Sequence, residues 1–279
     1  MTDRASSCSN LRCDRRSWLL LMLGSLASPF AYSADAPLRS PVRVGFISHY
    51  QPYSFVGNDG SVTGFDVEVV RSLLSAQNLE LTPVLDTFAN LHKRLQTGDI
   101  SFIGNQLLVT PENRRRFDFV KSYASIQLVS VLHESDDRDL LSLDDFVGKK
   151  LGVLANTEIE DQVRGALGNV AVAFEKIETA FTALSNRQLD AVIEENLIAD
   201  YFIELNNLPL KVGVPFAPLM RVGLAVQKGR KDLETHLSSG IEAFVKQMDF
   251  KKISQKWFGY DVSRPRVAHS MGEWHEPES

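Results

Sequence analysis

Hydrophobic and polar positions along residues 42–104 alternate in a way that predicts strands and helices in turn. The predicted strands are 42–48, 79–85 and 100–104, and the predicted helices are 66–77 and 88–96. Within the first helix, apolar residues recur every three or four positions, which is typical of one buried helix face. Those residues are Val67, Val70, Leu73 and Leu74. Strands that alternate with helices in this order indicate a parallel sheet covered by helices.

The same alternation restarts after a polar stretch at 134–139. Strands are predicted at 150–154, 170–174 and 191–194, and helices at 158–166, 179–187, 196–205, 231–247 and 250–257. Long strand-like runs at 124–133 and 221–227 flank this second unit. We therefore predict an α/β chain of two lobes, 34–127 plus 222–262 and 128–221, joined by two hinge strands. Ligands bind at the carboxyl ends of strands in open α/β sheets, so a cleft between the lobes is the expected site.

The first 33 residues have the pattern of a secretory signal peptide. Four arginines precede an apolar run at 18–27, and a small-residue site at 31–33 follows, so we place cleavage after Ser33. The run is shorter than the ~20 residues that span a bilayer, which disfavours a membrane anchor. The pair Arg15-Arg16 leaves export by either the general or the twin-arginine route open. We predict a periplasmic protein, if the source is a Gram-negative bacterium.

Charge and cysteine content exclude several classes of function. The chain has 30 basic and 35 acidic residues, and the leader removes four Arg and two Asp, which leaves a net charge of −7. So acidic a protein is a poor binder of nucleic acid. Both cysteines, Cys8 and Cys13, lie in the leader, and the histidines show no metal-ligand spacing. We therefore expect no disulfide, metal or cofactor, and we expect a polar, disordered tail at 263–279.

Six short motifs occur in series between residues 41 and 260. They are PYSF at 52–55 with GFDVEV at 64–69, LQTGDISFI at 95–103, TPENRRRFDF at 110–119, GKKLGV at 148–153, QLDAV at 188–192 and SQKWFG at 254–259. On these motifs the chain resembles the family-3 extracellular solute-binding proteins, and within them the cystine-binding branch. The resemblance implies a two-lobed, type II periplasmic-binding-protein fold of the Venus-flytrap kind. It also implies a monomeric receptor that binds an amino acid or related small polar solute for an ABC permease in the inner membrane.

The resemblance further implies a set of ligand-binding positions, some of which this chain changes. The family's carboxylate-binding Arg falls on Asn113, so Arg114 is the candidate for that role, since a guanidinium matches a carboxylate in two-point geometry. Leu108 replaces a family hydroxyl. Thr157 matches a Thr that donates to the carboxylate, and Glu195 matches the Asp that binds the ligand ammonium. These changes leave open a modified amino acid or a ligand of another class.

Aromatic and amide residues near the predicted strand ends complete the candidate site. Tyr50 matches a family aromatic that stacks on the ligand, and Tyr53 follows it. A flat or cationic ligand group would favour such rings. Asn105 and Gln106 end a predicted strand, where they either bind the ligand or satisfy loop backbone.

Two other functions compete with the receptor. An enzyme on the same scaffold, similar to a cyclohexadienyl dehydratase, would use Glu194 or Glu195 as an acid or base if burial raised its pKa. No nucleophile elbow, metalloprotease motif or phosphate loop supports an enzyme. The second alternative is a component that presents its ligand to a separate sensor.

Overall fold

A computed structural model describes residues 38–138, 140, 142–155, 157–168, 170–215 and 220–265. The predicted signal peptide and residues 266–279 of the predicted tail lie outside this part. The strands are β1 (Val42–Ile47), β2 (Phe55–Val56), β3 (Val62–Thr63), β4 (Leu81–Asp86), β5 (Phe102–Leu108), β6 (Phe117–Phe119), β7 (Leu128–His133), β8 (Leu151–Leu154), β9 (Ala171–Phe174), β10 (Ala191–Glu195), β11 (Leu210–Pro215) and β12 (Val222–Gln227). The helices are α1 (Phe65–Ser75), α2 (Phe88–Gln96), α3 (Pro111–Arg116), α4 (Glu158–Leu167), α5 (Ile177–Ser185), α6 (Asn196–Asn206), α7 (Lys231–Phe244) and α8 (Met248–Phe258).

Two five-stranded sheets organise the described residues. The first has the order β4-β1-β5-β12-β6 and the second the order β11-β7-β10-β8-β9. In each sheet one strand opposes the other four: β12 is antiparallel to β5 and β6, and β7 is antiparallel to β10 and β11. In each sheet, this antiparallel strand is the first one that the chain forms after it crosses from the other sheet. The predicted α/β fold with mostly parallel sheets is thus confirmed.

The apolar stripe predicted for the first helix is buried as expected. Val67, Val70 and Leu74 are fully buried on α1, and Leu73 is nearly so. Phe65 at the start of this helix packs edge-on against Phe258 of α8, with ring centroids 4.9 Å apart. None of the helices in the described part is long and apolar enough to cross a membrane.

Two chain segments cross between the sheets, one from β6 to β7 and one from β11 to β12. They meet at an isolated antiparallel bridge, where the amide of Met220 donates to the carbonyl of Ile126 at 2.8 Å. The first predicted hinge strand is shorter than expected, because strand structure begins only at Leu128, whereas the second begins at Val222, one residue after its predicted start. Ser125 leaves the ladder because its amide donates to the carbonyl of Val262 at 2.8 Å.

Candidate functional site

The chain after β1 meets the end of β10, and this meeting joins the two sheets. The phenol of Tyr53 donates a hydrogen bond to Glu195 Oε2 at 3.0 Å, and both residues are buried. The ring of Tyr50 lies 5.0 Å from that of Tyr53, centroid to centroid. Three of the predicted site residues are therefore brought together at the carboxyl ends of their strands.

A tight loop fixes these two tyrosines. The amide of Tyr50 donates to the carbonyl of Ser54, and the amides of Tyr53 and Ser54 both donate to the carbonyl of Tyr50. Gly64 packs against this loop with a φ of 133°. A Cβ at this position would lie 2.3 Å from the carbonyl oxygen of Tyr53. Only glycine tolerates both this conformation and this contact.

Asn105 lies behind the loop and holds it in place. Its Oδ1 accepts from the amide of Ile47 at 2.7 Å, and its Nδ2 donates to Ser54 Oγ at 3.0 Å and to Asp66 Oδ2 at 2.9 Å. The amide group is engaged at both ends, so the structure gives Asn105 a positioning role.

Asp66 is the buried centre of this network. It accepts from the phenol of Tyr123 at 2.6 Å and from the backbone amide of Gln106 at 3.3 Å, as well as from Asn105. Burial raises the pKa of Asp66 to about 7, although the hydrogen bonds from Tyr123 and Asn105 oppose the rise. The sequence motif at 64–69 contains this residue, but an acidic residue in a first helical turn usually indicates a helix start, so its role was not predicted.

Gln106 differs from its neighbour because part of its side chain has no partner. Its Oε1 accepts from Ser122 Oγ at 3.0 Å, whereas its Nε2 is buried and has no hydrogen-bond partner in the structure.

Two consecutive glutamates end β10, and both are buried. Glu194 is 2% exposed and Glu195 is 8% exposed. Glu194 Oε1 accepts from the amide of Glu195 at 2.8 Å, while Glu194 Oε2 is buried and has no partner. Burial, reinforced by the charge of Glu195, raises the pKa of Glu194 to about 8. Burial likewise raises the pKa of Glu195 to about 7, against the hydrogen bond from Tyr53.

The same burial acts on the tyrosines around this pair. It raises the pKa of Tyr50 and of Tyr53 well above the usual value, and the charge of Glu195 adds to the effect in both. Both phenols therefore stay protonated at neutral pH, and that of Tyr53 donates to the carboxylate of Glu195.

Arg114 lies away from this cluster. It is exposed on α3 and lines a different cavity of 630 Å³, together with Phe119, Ser122 and Arg221. Asn113, which stands at the family's Arg position, donates through Nδ2 to the carbonyl of Leu108 at 2.9 Å. Its side-chain donor thus ties α3 to the end of β5.

Thr157 caps a helix. Its hydroxyl accepts from the amide of Glu160 at 3.2 Å and donates to the carbonyl of Leu154 at 2.8 Å, at the start of α4. This is the ordinary hydrogen bonding of an N-cap threonine.

A cavity of 500 Å³ lies beside Tyr50 and Glu194, and it is lined by the loop after β1, by β2, and by residues of the second sheet and its helices. Its volume suits a small organic ligand. Its apolar wall consists of Phe55, Leu154, Ile177, Ile198 and Phe202, and its charged rim of Glu175, Lys176 and Glu178, with His49 on the loop side. Among the described residues, no group of three or more His, Cys, Asp or Glu is arranged to hold a metal ion.

Comparisons with known proteins agree with this architecture. Residues 42–260 match the model of the bacterial extracellular solute-binding proteins, family 3. The L-cystine-binding protein of Escherichia coli K12 is 27% identical over 227 residues, which cover 81% of this chain and 85% of that protein. The L-arginine-binding protein of Pseudomonas aeruginosa is 27% identical over 256 residues, with 87% and 97% covered. The unliganded, open L-cystine solute receptor of Neisseria gonorrhoeae has a similar fold, with a TM-score of 0.68, 24% identity, and 83% and 97% covered.

Proposed function

This chain belongs to family 3 of the bacterial extracellular solute-binding proteins, and from that premise we propose that it is the receptor of an ABC importer. It captures an amino acid or a related small polar solute between its two sheets. It then delivers that solute to a permease in the inner membrane. The named relatives bind cystine and arginine, which supports a solute of that size and polarity.

The hydrogen bond from Tyr53 to Glu195 is the observation on which this proposal rests. It joins a loop that follows β1 to the end of β10, and the lined cavity lies directly beside it. Tyr50 lies on the loop after β1 and Glu194 lies on β10. A solute can contact both residues at once only when the two sheets are close together. Such a solute biases the molecule toward the closed arrangement.

Export to the periplasm is part of the same proposal. The order of basic, apolar and small residues at 1–33 supports a cleaved leader, and the relatives form a family of extracellular proteins. A receptor in the periplasm meets its solute before the permease does, as this function requires.

Binding without turnover distinguishes the receptor from an enzyme on this scaffold. The relatives compared above are binding proteins, which supports the receptor. Glu194 and Glu195 have the raised pKa values that an acid or base would need, but buried structural carboxylates have them as well.

The first experiment measures melting temperature against a panel of solutes. The full chain is expressed, the protein is purified from the periplasm, and unfolding and refolding remove any bound ligand. A ligand that binds only the folded protein stabilises it by ~2.7 kcal/mol at one hundred times its dissociation constant, and this stabilisation raises the melting temperature. Prephenate is included and its turnover is followed by absorbance. A cooperative melt with no shift for any solute would contradict the receptor, and turnover of prephenate would favour the enzyme.

A further inference from the structure

We propose that the cavity beside Glu194 takes an organic cation that lacks a carboxylate, such as an aliphatic amine or a guanidine. This inference rests on the proposed receptor function and specifies the charge of its solute. Four features of the described residues support this inference. They are a buried carboxylate without a partner, a second buried carboxylate beside it, an aromatic wall, and the position of Arg114 outside this cavity.

Glu194 is the first feature. Its side chain lines the cavity at 2% exposure, and its Oε2 has no hydrogen-bond partner among the described residues. A buried polar atom without a partner costs about 1–3 kcal/mol, and more when it is charged. A ligand N–H directed at Oε2 would remove that cost. Because the other oxygen is held by the amide of Glu195, Oε2 is fixed in position to accept it.

Glu195 is a second buried carboxylate that a positive charge would stabilise. It stands next to Glu194, and among the described residues the side-chain partner of the two carboxylates is the neutral phenol of Tyr53. No Lys or Arg of the described segments pairs with either glutamate. Two adjacent buried carboxylates without a cation are unfavourable when ionised, and a cationic ligand supplies the missing charge.

Aromatic and apolar groups complete a surface suited to an alkylammonium or guanidinium ion. Tyr50 lines the cavity, close enough for both glutamates to raise the pKa of its phenol. Its ring face offers a cation–π contact, and Ile198 and Phe202 offer contacts for methylene groups. Glu175 and Glu178 outnumber Lys176 at the exposed rim, which favours the approach of cations.

The same surface disfavours a ligand carboxylate. A ligand carboxylate would be repelled at short range by Glu194 and Glu195 in their ionised forms, because like charges repel most strongly there. Arg114 lines a different cavity, and the side-chain donor of Asn113 is engaged by the carbonyl of Leu108. A zwitterionic amino acid would therefore gain at its ammonium group and lose at its carboxylate.

The test compares ligands that differ only by a carboxylate. Binding of lysine against 1,5-diaminopentane, and of arginine against agmatine, is measured by titration calorimetry on wild-type protein. We expect the amine of each pair to bind at least about tenfold more tightly, which corresponds to ~1.4 kcal/mol. Tighter binding of either amino acid than of its amine would overturn the inference.

Matched variants locate the effect. Glu194→Gln keeps the shape of the side chain and removes its charge, and we expect amine binding to weaken about tenfold or more. Glu204→Gln removes the same charge from an exposed position on α6 and serves as the control. Equal losses in both variants would contradict the assignment to Glu194.

The outcomes also separate this inference from the receptor itself. If neither amine binds but cystine or another amino acid does, the cationic ligand is wrong and the receptor stands. If no solute of either panel binds a cooperatively folded protein, both are wrong. The comparison of ligand pairs uses wild-type protein, so it decides the question even if Glu194→Gln fails to fold.

Discussion

The phenol of Tyr53 and the carboxylate of Glu195, 142 residues apart in the chain, form one buried hydrogen bond of 3.0 Å. Loss of this donor leaves Glu195 buried without its side-chain partner. We therefore expect Tyr53→Phe to weaken ligand binding about tenfold, measured by calorimetry. Tyr201→Phe, at a half-buried position on α6, is the control and should bind as wild type. Unchanged affinity in Tyr53→Phe would show that the contact does not contribute to the bound state.

Asn105 should contribute to stability more than to binding selectivity. Asn105→Ala removes the acceptor for Ile47 and the donor to Ser54 and Asp66, so we expect a loss of about 2–3 kcal/mol in the free energy of unfolding. Urea denaturation measures it. Asn206→Ala, which loses a single bond to Phe202 on an exposed helix end, should cost under about 1 kcal/mol. A similar small cost at both positions would argue against a positioning role for Asn105.

The ligand-free protein should lose stability as pH rises from 7 to 9. Glu194, with a pKa of about 8 when folded, binds more protons than it does when unfolded, where its pKa is about 4.5. The stability it contributes is complete below the unfolded pKa and is lost as pH rises through the folded pKa. Glu195 and Asp66, each with a folded pKa of about 7, act in the same direction, and their contribution is lost at lower pH than that of Glu194.

The shifted pKa values of His92 and of the buried tyrosines do not affect stability between pH 7 and 9. The lowered pKa of His92 affects stability only below about the ordinary histidine value of 6.5, and the raised tyrosine pKa values act above 10. Melting temperatures from pH 6 to 9 measure the slope, and Glu194→Gln should flatten it. A wild-type protein equally stable at pH 7 and 9 would contradict the assigned shifts.

A bound cation should reverse part of this effect. It stabilises ionised Glu194, so binding releases protons and the affinity for an amine rises between pH 6 and 8.5. Calorimetry in buffers of different ionisation enthalpy counts the protons. Proton uptake on binding, or affinity independent of pH, would contradict this linkage.

Two glycines offer a matched pair of substitutions. Gly64→Ala places a Cβ 2.3 Å from the carbonyl of Tyr53, at a φ of 133°, so we expect lower stability and weaker binding. Gly165→Ala, within α4, has open space around the added carbon and should stabilise the protein by up to about 1 kcal/mol. Both are measured by urea denaturation. A tolerated Gly64→Ala would show that the tyrosine loop is less constrained than its contacts indicate.

The sequence predicted local elements well because their signals are local. The stripe on α1 and the bounds of α2 follow from residue spacing alone, and α2 begins and ends where it was expected. The first linking strand was predicted too long because Ser125 pairs with Val262, a residue more than one hundred positions away. The sequence pattern of the crossing segment gives no sign of this distant partner.

The site shows the same division between local and distant information. Tyr50, Tyr53 and Glu195 were candidates, yet only the fold shows that two of them touch. The network around Asp66 could not be inferred, since Asp66 lies on α1 and its partners come from β5 and the segment after β6. The exposed position of Arg114 likewise depends on how α3 is set against β5. These three cases depend on distances between elements, which spacing along the chain does not encode.

The bridge between Ile126 and Met220 has a mechanical consequence. Because both crossings meet at this point, a rotation of one sheet against the other has its axis close to it. Displacement then grows with distance from the axis, as along a lever. Side chains beside the bridge barely move, whereas the outermost strands β4 and β9 sweep the longest arcs. A pair of spectroscopic labels on those two strands would therefore record the capture of a solute with the greatest amplitude.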